Sequence, residues 1–265
     1  MSTVAAASGA ACPDDPSRAR VGLCGFTMSM KAYPNVFPVV EVQSTFYEPP
    51  DDGILAKWRE TTGDSLEYTV KVWQLVTHAA GSPTYRRMMR PLGVHDDPGF
   101  FRDTAAVAEG WRRSVECAQL LSATAMLFQS PASFRPEPEN IRNMRTFFER
   151  IDRPPLRLLW EPRGPRWIAE RDLAIELCRE LDLVYVVDPF VTPPAQDAEV
   201  YWRLHGTTGP RHVYSDAELA KLYRMLVDAR PVGDAYVMFN NMPRVGDAKR
   251  FMALVSQATR SRGRT

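Results

Sequence analysis

Acids, bases and amides recur in this sequence at the ends of short apolar runs. Glu41 and Gln43 alternate with Val40 and Val42, Lys71 lies between Val70 and Val72, Gln129 follows Phe128, and Glu161 follows Trp160. Asp188 closes the run Val184-Tyr185-Val186-Val187, Arg203 and His205 alternate with Trp202 and Leu204, and Asn240 and Asn241 follow Phe239. A carboxylate in an apolar run is costly to bury unless a charge or hydrogen bond meets it, so these groups are expected to meet one another. Glu161, Asp188 and His205 offer an acid, a base and an orienting partner for proton transfer, with Glu161 the leading acid or base. Glu41 is the second carboxylate, and Lys71 would hold an ionised carboxylate or stabilise developing negative charge. The bland alternative is a structural network in which Glu41 pairs with Arg203 and Lys71 with Glu161.

An anion would suit the same set. Lys71 and Arg203 carry positive charge, and the loop His205-Gly206-Thr207-Thr208-Gly209 offers backbone N–H groups and hydroxyls of the kind that hold phosphate. The two glycines could instead serve only to shape a turn. Gln43, Tyr47, His78, Gln129, Arg203, Gly206, Thr207, Asn240 and Asn241 are the expected substrate contacts. Glu41, Glu161, Asp188 and His205 are also donor types that suit Mg, Mn or Zn. No HxH or HExxH spacing occurs and histidines are few, so no metal ligand is assigned and the cofactor is left unknown. Cys24 reads as a small hydrophobe rather than a nucleophile.

Positioning these groups requires strands. Period-two alternation and β-branched content predict eight, over residues 21–26, 39–47, 67–72, 124–129, 156–161, 183–188, 200–206 and 235–240. Helical spacing predicts helices over 54–63, 100–121, 137–150, 170–181, from a Ser215/Glu218 capping box onward, and over 246–258. Strands alternating with helices in this number predict an α/β fold, a TIM-type (β/α)8 barrel in a single domain. An open doubly wound sheet has the same alternation, but no glycine-rich dinucleotide fingerprint opens any helix. Nearly every strand of such a barrel then carries one of the polar residues above at its carboxyl end, where barrel sites form. Residues 81–98, with Arg86, Arg87 and Arg90, read as a long loop over one end.

Composition sets outer bounds. With 265 residues, 45% of them hydrophobic, the chain can bury a large core, and its formal charge of +1 gives no bulk attraction to nucleic acid or an anionic membrane. Four scattered cysteines suit a reducing compartment. Residues 1–20 lack the basic start and apolar stretch of a signal peptide and read as a disordered tail. Residues 21–259 form the barrel, and residues 260–265 read as a frayed basic tail. No run approaches the roughly 20 apolar residues of a membrane-spanning helix, so a cytoplasmic protein without a membrane partner is expected.

The ordered set Gly25-Phe26, Glu41-Val42-Gln43-Ser44-Thr45-Phe46-Tyr47, Trp58, Val70-Lys71-Val72, Thr77-His78, Phe128-Gln129, Trp160-Glu161, Trp167, Arg203-Leu204-His205-Gly206, Tyr214 and Phe239-Asn240-Asn241 resembles the YecE-like family, also called domain of unknown function 72. The resemblance implies a TIM-type barrel and no established reaction. Cys24-Gly25-Phe26-Thr27 stands where a Ser-Gly-Trp-type segment is common, a departure that bears on specificity more than on fold. The leading functional reading is an acid–base enzyme, a hydrolase, lyase or isomerase, acting on an anionic and possibly phosphorylated small molecule. One alternative is a phosphodiesterase or nucleic-acid-processing barrel gripping a backbone with Arg86, Arg87, Arg90, Arg163 and Arg166. Another is a non-catalytic sensor that binds a ligand in the mouth.

Overall fold

The computed structural model describes residues 19–90 and 97–262, apart from the side chains of residues 261 and 262. Eight strands appear in chain order: β1 (Ala19–Cys24), β2 (Val39–Val42), β3 (Glu67–Lys71), β4 (Ala125–Gln129), β5 (Arg157–Glu161), β6 (Val184–Val187), β7 (Val200–Leu204) and β8 (Ala235–Phe239). Each pairs in parallel with the next, and β8 pairs back onto β1 to close the barrel. The helices are α1 (Ser44–Tyr47), α2 (Asp52–Thr62), α3 (Gln74–Thr77), α4 (Ala105–Leu120), α5 (Pro138–Arg150), α6 (Pro165–Ala169), α7 (Arg171–Glu180), α8 (Asp216–Ala229) and α9 (Arg244–Arg262). Among the described residues no helix is long and apolar enough to cross a membrane.

Alternation on the strands sorts the side chains into two cores. Val40, Val42, Val70, Phe128, Trp160, Trp202 and Leu204 face outward and pack in the layer shared with the helices. Cys24, Val39, Ala125, Leu127, Leu159, Val186, Tyr201, Tyr236 and Met238 fill the barrel interior. That interior is full at Gly22, where an added Cβ would lie 2.3 Å from the Val39 carbonyl oxygen and 2.9 Å from the Met238 methyl. A packed interior is the normal state of such barrels, so polar groups reach solvent only at the ends.

Several boundaries differ from expectation, each for a local reason. The predicted strand over 39–47 stops at Val42, and residues 44–47 form one helical turn, because the Thr45 hydroxyl donates to the Lys71 carbonyl (2.7 Å) and Phe46 turns into the core. The helix predicted over 100–121 begins only at Ala105. Phe100 and Phe101 take left-handed backbone conformations (φ 57° and 55°), and Thr104 caps the helix by accepting from the Val107 amide. Ala19 and Arg20, assigned to the tail, open β1 instead, and Arg20 pairs with Glu67 at the amino end of the barrel (2.7 Å). The rest of the predicted tail, residues 1–18, lies outside the described residues, as do residues 91–96 of the predicted loop and 263–265 of the basic tail. Residues 260–262 of that basic tail belong to α9. The Ser215/Glu218 capping box forms, with both reciprocal bonds present.

Candidate functional site

Arg203, at the carboxyl end of β7, is the centre of the barrel mouth. Parity with Tyr201 turns it inward, and no part of it reaches solvent. Its Nε donates to both Glu41 oxygens (3.1 and 3.0 Å), Nη2 donates to Glu41 Oε1 (2.8 Å), and Nη1 donates to Glu161 Oε2 (2.5 Å). One guanidinium on β7 therefore bridges two buried carboxylates, one from β2 and one from β5. The fork of a guanidinium suits this task, since it stays charged and holds a carboxylate by two parallel bonds.

A second layer of bonds completes the network. Tyr201 Oη donates to Glu41 Oε2 (2.9 Å), the Gln43 amide donates to Glu41 Oε1, and Gln129 Nε2 donates to Glu161 Oε2 (2.6 Å). Lys71 Nζ donates to Gln129 Oε1 (2.6 Å) and sits 3.5 Å from the centre of the Phe46 ring. The expected pairing of Lys71 with Glu161 does not form, because Arg203 and Gln129 already hold the Glu161 oxygen that faces inward. Arg163 Nη1 donates to Glu161 Oε1 (2.9 Å) and to His205 Nε2 (2.8 Å). With Nε2 accepting, a neutral His205 carries its proton on Nδ1, which faces Asp188 Oδ2 at 3.6 Å. Asp188 itself accepts the His205 backbone N–H (2.8 Å) and the Phe190 N–H (3.0 Å).

The electrostatics divide the groups by role. Burial would raise the Glu161 carboxyl, but Arg203, then Arg163 and His205, outweigh it and hold Glu161 well below the usual carboxylate range. A carboxylate held ionised in this way suits a charged, electrostatic role better than proton donation. Burial, and secondarily the charge of Arg203, brings Lys71 down to about 7 against the partial support of Glu161 and Glu41. His78 is pushed down to about 3 by burial and by Lys71, so it is neutral, with Nδ1 on the Thr77 hydroxyl (2.8 Å) and its ring edge-on to Phe46. Burial raises the Cys24 thiol, in keeping with a small hydrophobe.

The remaining expected contacts spread out. Tyr47 is half-buried at the rim with the Arg87 guanidinium 4.1 Å from its ring centre, and Asn240 follows β8, half-buried. Asn241 does not reach the mouth: its Nδ2 donates to the His212 carbonyl (2.9 Å) and to Asp247 Oδ2 (2.6 Å) at the start of α9. Gly206 and Thr207 do not present a phosphate cradle. The His205 and Gly206 amides are taken by Asp188 and by Tyr214 Oη (2.9 Å), and Thr207 Oγ1 bonds His212 and Glu218. Gly206 is needed for the turn itself, having φ of +89° and no room for a Cβ, which would lie 2.2 Å from the Gly209 carbonyl oxygen. Two amides of this loop and the Thr207 hydroxyl are thus engaged within the protein, as the turn-shaping alternative expects.

Two contributors escaped the sequence reading. Tyr201 shares parity with Arg203 two residues earlier, a signal that was present but masked by its apolar ring. Arg163, two residues past Glu161, has the sequence position of a rim charge, yet it joins Glu161 to His205 while 41% of its side chain stays exposed. It lies with Glu161, Gly164, Trp167, Asp188, Thr192 and His205 around a cavity of about 230 Å³ between β5 and β6. Larger clefts elsewhere, such as one of about 510 Å³ between α4 and α5, hold none of these groups. Among the described residues no three His, Cys, Asp or Glu side chains gather as a metal site.

Solved structures share this architecture. A DUF72 family protein from Thermotoga maritima MSB8 is 22% identical, with a TM-score of 0.67 over 90% of this chain and 99% of its own. One from Enterococcus faecalis V583 is 19% identical, with a TM-score of 0.63 over 90% and 97%. A xylose isomerase domain containing protein from Salmonella typhimurium LT2 is 13% identical, with a TM-score of 0.54 over 91% and 97%. At such identities the likeness is one of fold. No curated protein matches the chain. Residues 25–264 match the family described as protein of unknown function DUF72, a span that takes in nearly the whole barrel, and the chain belongs to that family.

Proposed function

We propose that the mouth is the active site of an acid–base enzyme, of the hydrolase, lyase or isomerase kind, acting on a small anionic molecule. The observation that carries this reading is the exposed edge of the network. Glu41, Arg203 and Glu161 are fully engaged and buried, whereas Arg163 and His205 keep 41% and 22% of their side chains exposed beside the 230 Å³ cavity. Arg163 is then the charge that meets a carboxylate or phosphate on the substrate, and His205, oriented by Asp188, is the proton carrier. The buried triad is a rigid floor rather than the reacting group, and Lys71 is a second proton carrier because it changes charge near neutral pH.

Binding and turnover should separate in variants. Screening small phosphorylated and carboxylated metabolites by thermal shift and by NMR should find a ligand that stabilises the protein and is converted. Arg163→Gln should weaken its binding, and His205→Gln should keep the binding while slowing turnover by about 10²–10⁴-fold. Binding without any turnover in the wild type would favour the sensor reading. The nucleic-acid reading has less support: of its five arginines, Arg87 is stacked on Tyr47, Arg90 pairs with Glu48 (3.4 Å) and Arg163 pairs with Glu161 (2.9 Å), although all three keep exposed surface. Binding of a single-stranded oligonucleotide that weakens steeply with salt would reverse that preference.

A further inference from the structure

The cavity between β5 and β6 has two unlike walls. One is polar and belongs to the network, with Glu161, Arg163, Asp188 and His205. The other is hydrocarbon, formed by Trp167 and Ile168 of α6, Val187 of β6 and Val191 of the loop that follows it. The Trp167 indole N–H donates to the Phe134 carbonyl (2.5 Å), so that ring offers the cavity no donor. Ile168 and Val191 remain 43% and 56% exposed, two of the seven large apolar side chains left exposed among the described residues, and both border this cavity. Apolar side chains left open beside a polar wall are what a ligand with a hydrocarbon part requires.

The polar wall selects the head group. Arg163 engages the protein through Nη1 alone, which leaves Nε and Nη2 without a partner among the described residues. Those two nitrogens form one edge of the guanidinium, whose parallel N–H bonds match the two oxygens of a carboxylate. Charge narrows the choice further. Glu161 and Asp188 share the cavity with this one guanidinium, and every nitrogen of Arg203 already donates to Glu41 or Glu161. Arg163 can meet a monoanion, but a phosphate dianion would bring a second charge against two carboxylates. Size sets the last limit: at roughly 30 Å³ per water-sized group, 230 Å³ takes about eight non-hydrogen atoms.

We propose that the ligand of this site is a small monocarboxylate with a short hydrocarbon chain, its carboxylate on the Nε and Nη2 edge of Arg163 and its chain against Trp167, Ile168 and Val191. The proposal rests on the reading of the mouth as an anion site and narrows it. Hydroxylated acids of the same size are disfavoured, because the apolar wall has no partner for a hydroxyl and an unpaired one is costly to bury. His205, bonded to Arg163 Nη1, then stands at the carboxylate end of the ligand.

The test is an NMR titration of the full-length protein at pH 8 with acetate, isovalerate, glycerate and isobutyl phosphate. Isovalerate and glycerate carry the same charge and the same number of non-hydrogen atoms, so they contrast hydrocarbon with hydroxyl. Each methylene taken from water is worth about fourfold in affinity, so isovalerate should bind at least about tenfold tighter than acetate. Glycerate should gain nothing over acetate, and isobutyl phosphate should bind more weakly than isovalerate. Ile168→Ser and Val191→Ser, at exposed positions that the fold tolerates, should each weaken isovalerate by about threefold and leave acetate unchanged. Arg163→Gln should weaken every ligand that binds. Equal affinity for acetate, isovalerate and glycerate, or tighter binding of isobutyl phosphate, overturns the proposal, while dependence on Arg163 would keep the anion site. A preference for isovalerate that survives both serine variants puts the chain in another cleft and overturns it as well. If no acid binds, or Arg163→Gln changes nothing, the anion site falls with it.

Discussion

Replacing Arg203 by Met would leave Glu41 and Glu161 buried without the charge that both now use, since each is bonded to that one guanidinium. Breaking a buried ion pair from one side costs about 3–5 kcal/mol, so Arg203→Met should lose that much in urea unfolding against the wild type. A loss below about 1 kcal/mol would mean that solvent or a counter-ion reaches the triad. Lys71 contributes in the opposite sense. Its folded value of about 7 lies below the ordinary 10.5, so between those limits the unfolded chain holds a proton that the folded one has released. Stability from this group therefore rises with pH from about 7 to about 10.5, and the penalty is complete below 7. Lys71→Met should consequently stabilise the protein most at and below pH 7, with the advantage shrinking towards pH 10. Urea midpoints across that range would show it, and a constant offset would refute it. His78, at about 3 when folded against 6.5, and Glu161, held below 4.5, act the same way on the acid side. The first loses stability as pH falls below 6.5, and the second adds to the loss below 4.5.

At the level of strands and turns, placement of the site depends on register. Gly22 lies opposite Val39 on β2 and Met238 on β8, and Cys24 lies opposite Glu41, so a shift of β1 would carry Glu41 out of reach of Arg203. A side chain at position 22 has no space, with the Val39 carbonyl oxygen 2.3 Å from where its Cβ would be. Gly22→Ala should cost about 1–3 kcal/mol as overpacking, seen as a lowered thermal midpoint. A variant that melts with the wild type would contradict the β1–β2 register. The one-turn helix α1 has a comparable role on the other side of Glu41. By ending β2 at Val42 and tying Thr45 to the Lys71 carbonyl, it brings Phe46 under the Lys71 amine and sets Gln43 against Glu41.

On the scale of the whole barrel, β2, β3, β5 and β7 deliver Glu41, Lys71, Glu161 and Arg203 to one end, and Arg203 lies between the two carboxylates where a cation would otherwise be needed. The purified protein should therefore carry no stoichiometric divalent metal on these residues, as measured by elemental mass spectrometry without a histidine tag. One equivalent of Zn or Mn that is lost on replacing Glu41 would contradict this. The barrel and the inward parity of Glu41, Lys71, Glu161 and Arg203 were legible in the chain, because alternation along a strand is a local property that any reader can count. The Glu41–Arg203 pair was visible as one alternative among others. Which partner each group takes was not legible. Glu41 and Arg203 are 162 residues apart, and Lys71 meets Gln129 rather than Glu161 only because Arg203 reaches Glu161 first. The end of β2 at Val42 and the inward turn of the Gly206 and Thr207 loop likewise depend on bonds to distant residues, Lys71 in one case and Asp188 and Tyr214 in the other. Period and propensity act over a few neighbours, whereas hydrogen-bond partners and burial are assigned only when the sheet closes.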